Sequence, residues 1–303
     1  MDFPAPSRPS RTTSIAFFFG VSYKDNYFCN MIDKNRHIDI MGIVNLTDDS
    51  YFAGSRCADA DSALARIRRM VGEGATIIDI GACSTRPGSL PVGAEEEWSR
   101  LKPVLEVVRR SFPDVRISID TYWSSVVRNA YNLIGEFMVN DISAGEEDPE
   151  MLPLVGSLGL PYVAMHRHGV HGNMHELTDC NDALAEVLGF FKEFAVKADM
   201  YNLKSWIIDP GFGFSKTIVQ NYEVLGGLAD LHKLAEDMEN VSGILVGVSR
   251  KSMIYRLLGL SPEECLPATQ ALHLYALERG ADILRVHDVA EAVDTVTLYR
   301  ALR

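Results

Sequence analysis

A single (β/α)8 TIM barrel, an α/β fold, is predicted by three observations. A short β-branched apolar run, a loop rich in Gly, Asp, Asn or Ser and an amphipathic stretch of helical length recur in that order from Ile38 onward. The runs number eight: Ile38 to Val44, Thr76 to Ile80, Val115 to Ile119, Phe137 to Val139, Tyr162 to Met165, Trp206 to Ile208, Gly243 to Val248 and Ile283 to Val286. Chemically capable polar residues collect just after each run, on the side where such barrels carry their chemistry. The length after Ile38 suits the closed barrel, whose usual size is roughly 250 residues. An open doubly wound sheet is the alternative, but it would carry GxGxxG after the first strand, and that fingerprint is absent.

Helix starts support the count. Ala94-Glu95-Glu96-Glu97 places acids in a first turn, where the macrodipole favours them. Ser261-Pro262-Glu263-Glu264 reads as an N-cap, an N1 proline and an acidic first turn, and Asp148-Pro149-Glu150 reads as a further helix start. With no linker, low-complexity segment or longer repeat, residues 27–303 are expected to form one barrel domain.

Residues 1–26 read as a loosely attached N-terminal extension without chemistry. The apolar run Ile15 to Val21 is too short to span a bilayer, so no membrane association is expected. The acid-free stretch Ser7 to Ser14, rich in Ser, Thr and Arg, leaves a targeting peptide as the alternative.

Composition narrows the classes. The chain has 303 residues, 47% hydrophobic and 23% charged, which excludes disorder over most of its length. Lys plus Arg total 29 against 41 Asp plus Glu, and a net charge of −12 repels a phosphate backbone, so nucleic acid is not an expected partner. The five cysteines, Cys29, Cys57, Cys83, Cys180 and Cys265, are odd in number and form no CxxC pair, a usage that fits a reducing cytoplasm.

Arg86, Arg250, Lys251 and Arg285 are expected on one rim of this acidic protein, and a basic cluster there implies an anionic ligand. Ser249-Arg250-Lys251-Ser252 lies where a strand gives way to a helix N-terminus, a phosphate-favouring position after strand seven. Arg285 should face the barrel mouth, since Leu284 and Val286 would point the other way. A surface ion pair is the alternative for Arg250 and Arg285; a diphosphate clamp is the functional reading.

Asp120, Asn140 and Asp209, each read as the first residue past its run, can converge as two acids and an amide. That set suits a flat heterocycle presenting N–H donors and a carbonyl in its plane, with Lys251 serving an acceptor. A metal site of the same carboxylates is the alternative, against which stands the lack of a His or Cys next to any of them in sequence. The stretch His166, His168, His171 and His175 invites a zinc reading, but its spacings fall in a Gly-containing loop and no acid or Cys partner is assigned to them. Phe214 could lie against a ring face, with packing as the default. Cys83 reads as buried filler.

These residues, in this order, resemble the dihydropteroate synthase family. The resemblance runs from about Met41 to Leu298 and rests on Met41-Gly42-Ile43-Val44-Asn45-Leu46-Thr47, Ile78-Asp79-Ile80-Gly81 with Ser84-Thr85-Arg86-Pro87-Gly88, Ser118-Ile119-Asp120-Thr121, Asn140-Asp141-Ile142-Ser143, Asp209-Pro210-Gly211-Phe212-Gly213-Phe214-Ser215-Lys216, Gly247-Val248-Ser249-Arg250-Lys251 and Arg285-Val286-His287-Asp288. It implies transfer of the pterinylmethyl group of 6-hydroxymethyl-7,8-dihydropterin diphosphate to 4-aminobenzoate, with release of pyrophosphate, in folate biosynthesis. It implies that Asp120, Asn140, Asp209, Lys251 and Phe214 surround the pterin, and that Arg86, Arg285 and His287 hold the diphosphate. Asn45 would bind the Mg2+ that travels with that diphosphate. Thr85, Ser249 and Lys251 would border the 4-aminobenzoate, the position that sulfonamide mimics occupy. Asp120, Lys251 and Arg285 are the expected catalytic set, and a homodimer through the late helices is the expected assembly.

The chain departs from the family pattern in three places. Asp48 stands where a Pro is usual, Ala53 where an Asp is common, and Arg167 where a Met is usual. Loss of the proline should loosen the first loop, so the departures bear on turnover more than on pterin binding. Two rivals remain at this point: a methyltetrahydrofolate-binding methyltransferase of the same barrel type, against which the Ser-Arg-Lys and Ser-Thr-Arg motifs argue, and a non-catalytic pterin-binding paralogue.

Overall fold

The computed structural model describes residues 36–46, 60–83, 93–169 and 181–303. The extension expected over residues 1–26 lies outside them. Eight parallel strands close into a barrel in chain order, the last pairing back to the first: β1 Asp39–Asn45, β2 Ile77–Gly81, β3 Arg116–Asp120, β4 Met138–Asp141, β5 Tyr162–Met165, β6 Trp206–Asp209, β7 Val241–Val246 and β8 Ile283–Val286. The predicted barrel is the observed one.

The described helices ring the strands: α1 Ala60–Glu73, α2 Ala94–Ser111, α3 Ser124–Ile134, α4 Met151–Leu158, α5 Ala183–Met200, α6 Ile218–Gly226, α7 Leu228–Glu236, α8 Ser252–Leu258, α9 Leu266–Glu278 and α10 Val289–Ala301. None is long and apolar enough to cross a membrane.

The period of two decides which face each strand residue serves. Met41, Ile77, Met138, Val163, Ile207, Leu245 and Ile283 point inward and pack into one apolar plug. Their neighbours Ile40, Ile78, Val139, Tyr162, Ile208, Val246 and Leu284 point outward and join the larger core under the helices. Each such side chain contributes about 1.5–3 kcal/mol by leaving water, so the plug makes a rigid floor beneath whatever sits at the mouth.

Several strands run one residue past the apolar runs that mark them in the sequence. Asn45, Gly81, Asp120 and Asp209 end strands rather than begin loops, and adjacent strands stay paired through them: Asn45 with Gly81, Gly81 with Asp120, Asp120 with Asn140, Met165 with Asp209. Backbone pairing continues although the side chains turn polar. β7, read as Gly243 to Val248, ends two residues sooner, at Val246.

Helix starts follow the expected chemistry with one correction. α2 opens at Ala94 as expected, and Ser261 and Glu264 form a capping box over a short 3-10 turn, Pro262–Cys265, that leads into α9. Asp148 does not cap the helix after it. Its carboxylate accepts from the Ser124 N–H at 2.8 Å, in the first turn of α3, and from Glu150 N–H at 3.0 Å, while α4 begins only at Met151.

Candidate active site

Inward-facing parity at the C-terminal ends of the strands brings the polar residues together. From β8, the Arg285 guanidinium donates through Nε to Asp79 Oδ2 at 2.7 Å and through Nη2 to Asp120 Oδ2 at 2.7 Å. Asp79, wholly buried on β2, also accepts from Ser118 Oγ at 2.6 Å and Asn140 Nδ2 at 3.1 Å. Four strands thus meet in one hydrogen-bonded group. Gly81 makes room for it, since a Cβ there would lie 3.2 Å from the Asp120 Cβ.

Burial governs the charges. It pushes Asp120 well above the usual carboxylate range; Arg285 works against that rise, and Asp79, Asp141 and Asp209 add to it. Asp209 is likewise raised by burial, opposed by Lys251 and by the Gly211 N–H that it accepts at 2.8 Å. Lys251 is pulled down to about 8 by burial, while Asp209 favours its charge. His287 is lowered to about 3 by burial and by the neighbouring Arg285, Arg66, Arg250 and Lys251, so it is neutral at physiological pH.

The strand-six loop reaches across to Lys251. Its Nζ donates to the Phe212 carbonyl and lies 4.8 Å from the centre of the Phe214 ring. Gly213, at φ +81°, brings backbone so near that a Cβ would come within 3.1 Å of Lys251 Cδ. Beside these groups, Tyr122, Ile142 and Met165 form an apolar cluster with Phe214, Trp123 and Cys83 packed against it. A polar floor next to an apolar wall suits a flat polar ring.

The other expected residues fall as follows. Ser249 is buried between β7 and β8, its Oγ accepting from the His287 N–H at 3.3 Å. Asn45 ends β1 at the level of Gly81, Asp120 and Asn140. Thr85, Arg86, Asp48, Ala53, His171 and His175 lie outside the described residues.

Two expectations need correction, and one departure finds its place. Arg250 is not a ligand clamp: it binds Asp288 through Nε at 2.8 Å and Nη2 at 3.0 Å, and donates through Nη1 to the carbonyls of Pro262 and Glu263. The ion-pair alternative holds, buried rather than on the surface. Arg167, the departure that stands where a Met is usual, is taken up by the protein itself: its buried guanidinium donates to the Ile142 carbonyl at 2.8 Å, the Gly169 carbonyl at 2.5 Å and Glu147 Oε1 at 2.7 Å, bracing the loops after β4 and β5. The histidines after β5 do have an acid partner, Glu186 on α5.

Asp79 was the main omission from the expected site. Its signal was in plain view, a lone carboxylate within Ile77-Ile78-Asp79-Ile80. An acid on the inward face of a buried strand needs a partner, and Arg285 supplies it. Met165 and Ile142 carried no such mark.

A closed parallel barrel whose mouth joins an acid–amide–guanidinium group to a lysine and an apolar wall has the donors and acceptors to hold a flat polar ring. The family profile described as "Pterin binding enzyme" matches residues 41–287. Among curated proteins, the dihydropteroate synthase of Escherichia coli K12 is 38% identical over 267 residues, covering 88% of this chain and 92% of that protein. That of Synechocystis is 38% identical over 262 residues, covering 86% and 88%. Among solved structures, the Yersinia pestis dihydropteroate synthase in a sulfonamide complex superposes with a TM-score of 0.82 at 35% identity, covering 90% of this chain and 96% of that one. The Xanthomonas albilineans enzyme with 4-aminobenzoic acid gives 0.75 at 36% identity, covering 88% and 93%. The chain belongs to the pterin-binding enzyme family and, within it, to the dihydropteroate synthases.

Proposed function

We infer that this protein catalyses the dihydropteroate synthase reaction: the pterinylmethyl group of 6-hydroxymethyl-7,8-dihydropterin diphosphate passes to the amine of 4-aminobenzoate, releasing pyrophosphate. The observation that carries the site assignment is the Arg285 guanidinium set between Asp79 and Asp120, level with the amide of Asn140. Asp120, Asp209 and Asn140 receive and supply the in-plane hydrogen bonds of the pterin, with Lys251 on its carbonyl edge and Phe214 beside it.

In the reaction the bond from the exocyclic methylene carbon to the diphosphate oxygen breaks, and both its electrons leave with the diphosphate. The carbon–nitrogen bond to the amine then forms, and the amine loses one proton. Charge separation is the difficult part. Buried Asp120 and Asp209 favour a ring that turns positive, while Arg285, whose five donors exceed those used on Asp79 and Asp120, and Arg86 hold the departing oxygens. His287 offers a neutral imidazole to the same group. No protein nucleophile is required.

Asn45 presents a neutral oxygen donor at the barrel mouth, chemistry that fits Mg2+ entering with the diphosphate. Held there, Mg2+ would supply positive charge against the leaving diphosphate. Thr85 and Ser249 border the 4-aminobenzoate, which makes this the position for sulfonamide mimics.

The homodimer reading is supported by exposed Leu257 and Leu258 on α8, Leu298 on α10 and Leu302 just beyond it. A cytoplasmic setting is supported by the odd number of cysteines and the lack of any CxxC pair in the sequence. The function is tested by mixing the protein with dihydropterin diphosphate and Mg2+, with and without 4-aminobenzoate, and measuring pyrophosphate; amine-dependent release is expected.

A further inference from the structure

We propose that His166, His168 and Glu186 form a binding site for a borderline divalent cation, Zn2+ in preference to Mg2+, on the outer rim of the barrel and separate from the pterin pocket. Strand parity places it. Val163 points into the barrel and Ala164 outward, so His166, just past β5, leaves toward α5. There its ring meets Phe190 edge-on, with centres 5.1 Å apart, and His168 edge-on at 5.3 Å. Glu186 comes from the first turn of α5.

The donor atoms converge. Glu186 Oε1 lies 3.7 Å from His166 Nε2 and contacts His168 Nε2, and one donor atom from each residue fits within 4.8 Å of the other two. Donors bound to Zn2+ at about 2.0–2.2 Å in a tetrahedron stand about 3.4 Å apart, so only small side-chain movements separate this arrangement from a coordinated one. Two imidazoles and one carboxylate select Zn2+, Co2+ or Ni2+ over Mg2+, which prefers an all-oxygen shell.

A second observation points the same way. The His166 ring is buried, its Nδ1 finds no hydrogen-bond partner among the described residues, and its Nε2 is beyond hydrogen-bond range of Glu186. Nε2, which faces the Glu186 carboxylate from beyond hydrogen-bond range, is the nitrogen that a metal bond would engage. The backbone bearing the histidines is already fixed. His166 N–H pairs with the Asp209 carbonyl at 2.9 Å, and the His168 backbone exchanges two hydrogen bonds with Ser215 Oγ, at 3.0 and 2.9 Å. Lys216, whose Nζ rests on the His166 carbonyl at 3.3 Å, is the nearby charge that opposes a cation, and the Glu186 carboxylate offsets it. Half-exposed His168 and Glu186 leave a fourth position for water, and the ion would clasp the loop after β5 to α5.

The test is titration of metal-free full-length protein with ZnCl2 by calorimetry and with CoCl2 by visible absorption. Expected are one equivalent bound in the micromolar range or tighter, a tetrahedral Co2+ spectrum, a raised melting temperature and no displacement by millimolar Mg2+. His168→Ala and Glu186→Gln should each weaken binding about tenfold or more while the melting temperature of the metal-free protein and amine-dependent pyrophosphate release are kept. Absence of saturable Zn2+ binding, or unchanged affinity in both variants, overturns the proposal.

Discussion

Arg285 on the last strand donates to Asp120 on the third at 2.7 Å, across the barrel mouth. The pair exists because residues 165 positions apart in sequence share the inward face at the same end of a closed sheet. The same guanidinium reaches Asp79, and this triad holds the cation between two carboxylates at the barrel mouth. With Asp79 wholly buried and Asp120 only partly exposed, the arrangement is sensitive to the loss of any member.

Asp79→Asn should therefore impair the enzyme although Asp79 is wholly buried. Arg285 would lose one of its two anions and its orientation. Expected is a fall in kcat/KM of about a hundredfold, typical of misplacing a catalytic group. Denaturant unfolding should also show a loss of about 3 kcal/mol or more, as when one partner of a buried pair is removed. Steady-state kinetics and urea titration decide it, and wild-type values for both would remove Asp79 from the site.

Lys251 sets an alkaline limit. Burial lowers its ammonium to about 8, so the charge facing Asp209 is present below that pH and is lost above it. The profile of kcat/KM, which reports free-enzyme ionisations, should fall as pH rises through about 8. Lys251→Arg should move that limb out of the accessible range, whatever its absolute rate. Lys251→Ala should cost about 2 kcal/mol or more in transition-state binding.

Glu97 on α2 should make stability fall with pH. Burial raises its carboxyl from 4.5 to about 7, with the Asp120 charge adding to the rise and Thr121 opposing it. The folded state thus binds the proton more tightly than the unfolded chain. The stability from that proton is complete below pH 4.5 and disappears as pH climbs through about 7. Glu97→Gln should gain on wild type by about 3 kcal/mol between pH 4.5 and pH 8. Parallel curves for the two proteins in guanidinium titrations across that range would contradict the assignment.

Arg167→Met installs the residue usual for the family, yet it should harm this chain. Three donor contacts that brace Ile142, Glu147 and Gly169 would vanish. A melting-temperature drop equivalent to about 2 kcal/mol is expected, since hydrogen bonds to charged groups are lost, with kcat changed far less than stability. A variant as stable as wild type would show that the brace carries no load.

The barrel was legible because its signal is periodic. Eight apolar runs and the polar residues after them sufficed to place Asp120, Asn140, Asp209, Lys251 and Arg285 at one mouth, and parity alone turned Arg285 inward between Leu284 and Val286. What escaped was partnership through space. Nothing local announces that Arg250 binds Asp288, 38 residues later, or that Glu186 faces His166 and His168 from the next helix. Strand ends were misjudged because Asn45, Gly81, Asp120 and Asp209 look like loop residues by composition, whereas their backbones still pair. Asp148 misled for a similar reason, its side chain serving the helix before it.

The central claim is that this mouth drives off diphosphate only to join the pterin to an arylamine. Pyrophosphate and dihydropteroate should therefore appear in equal amounts from dihydropterin diphosphate, 4-aminobenzoate and Mg2+. Asp120→Asn and Arg285→Gln should suppress both products together. Pterin bound without pyrophosphate release, or release indifferent to the amine, would contradict the account.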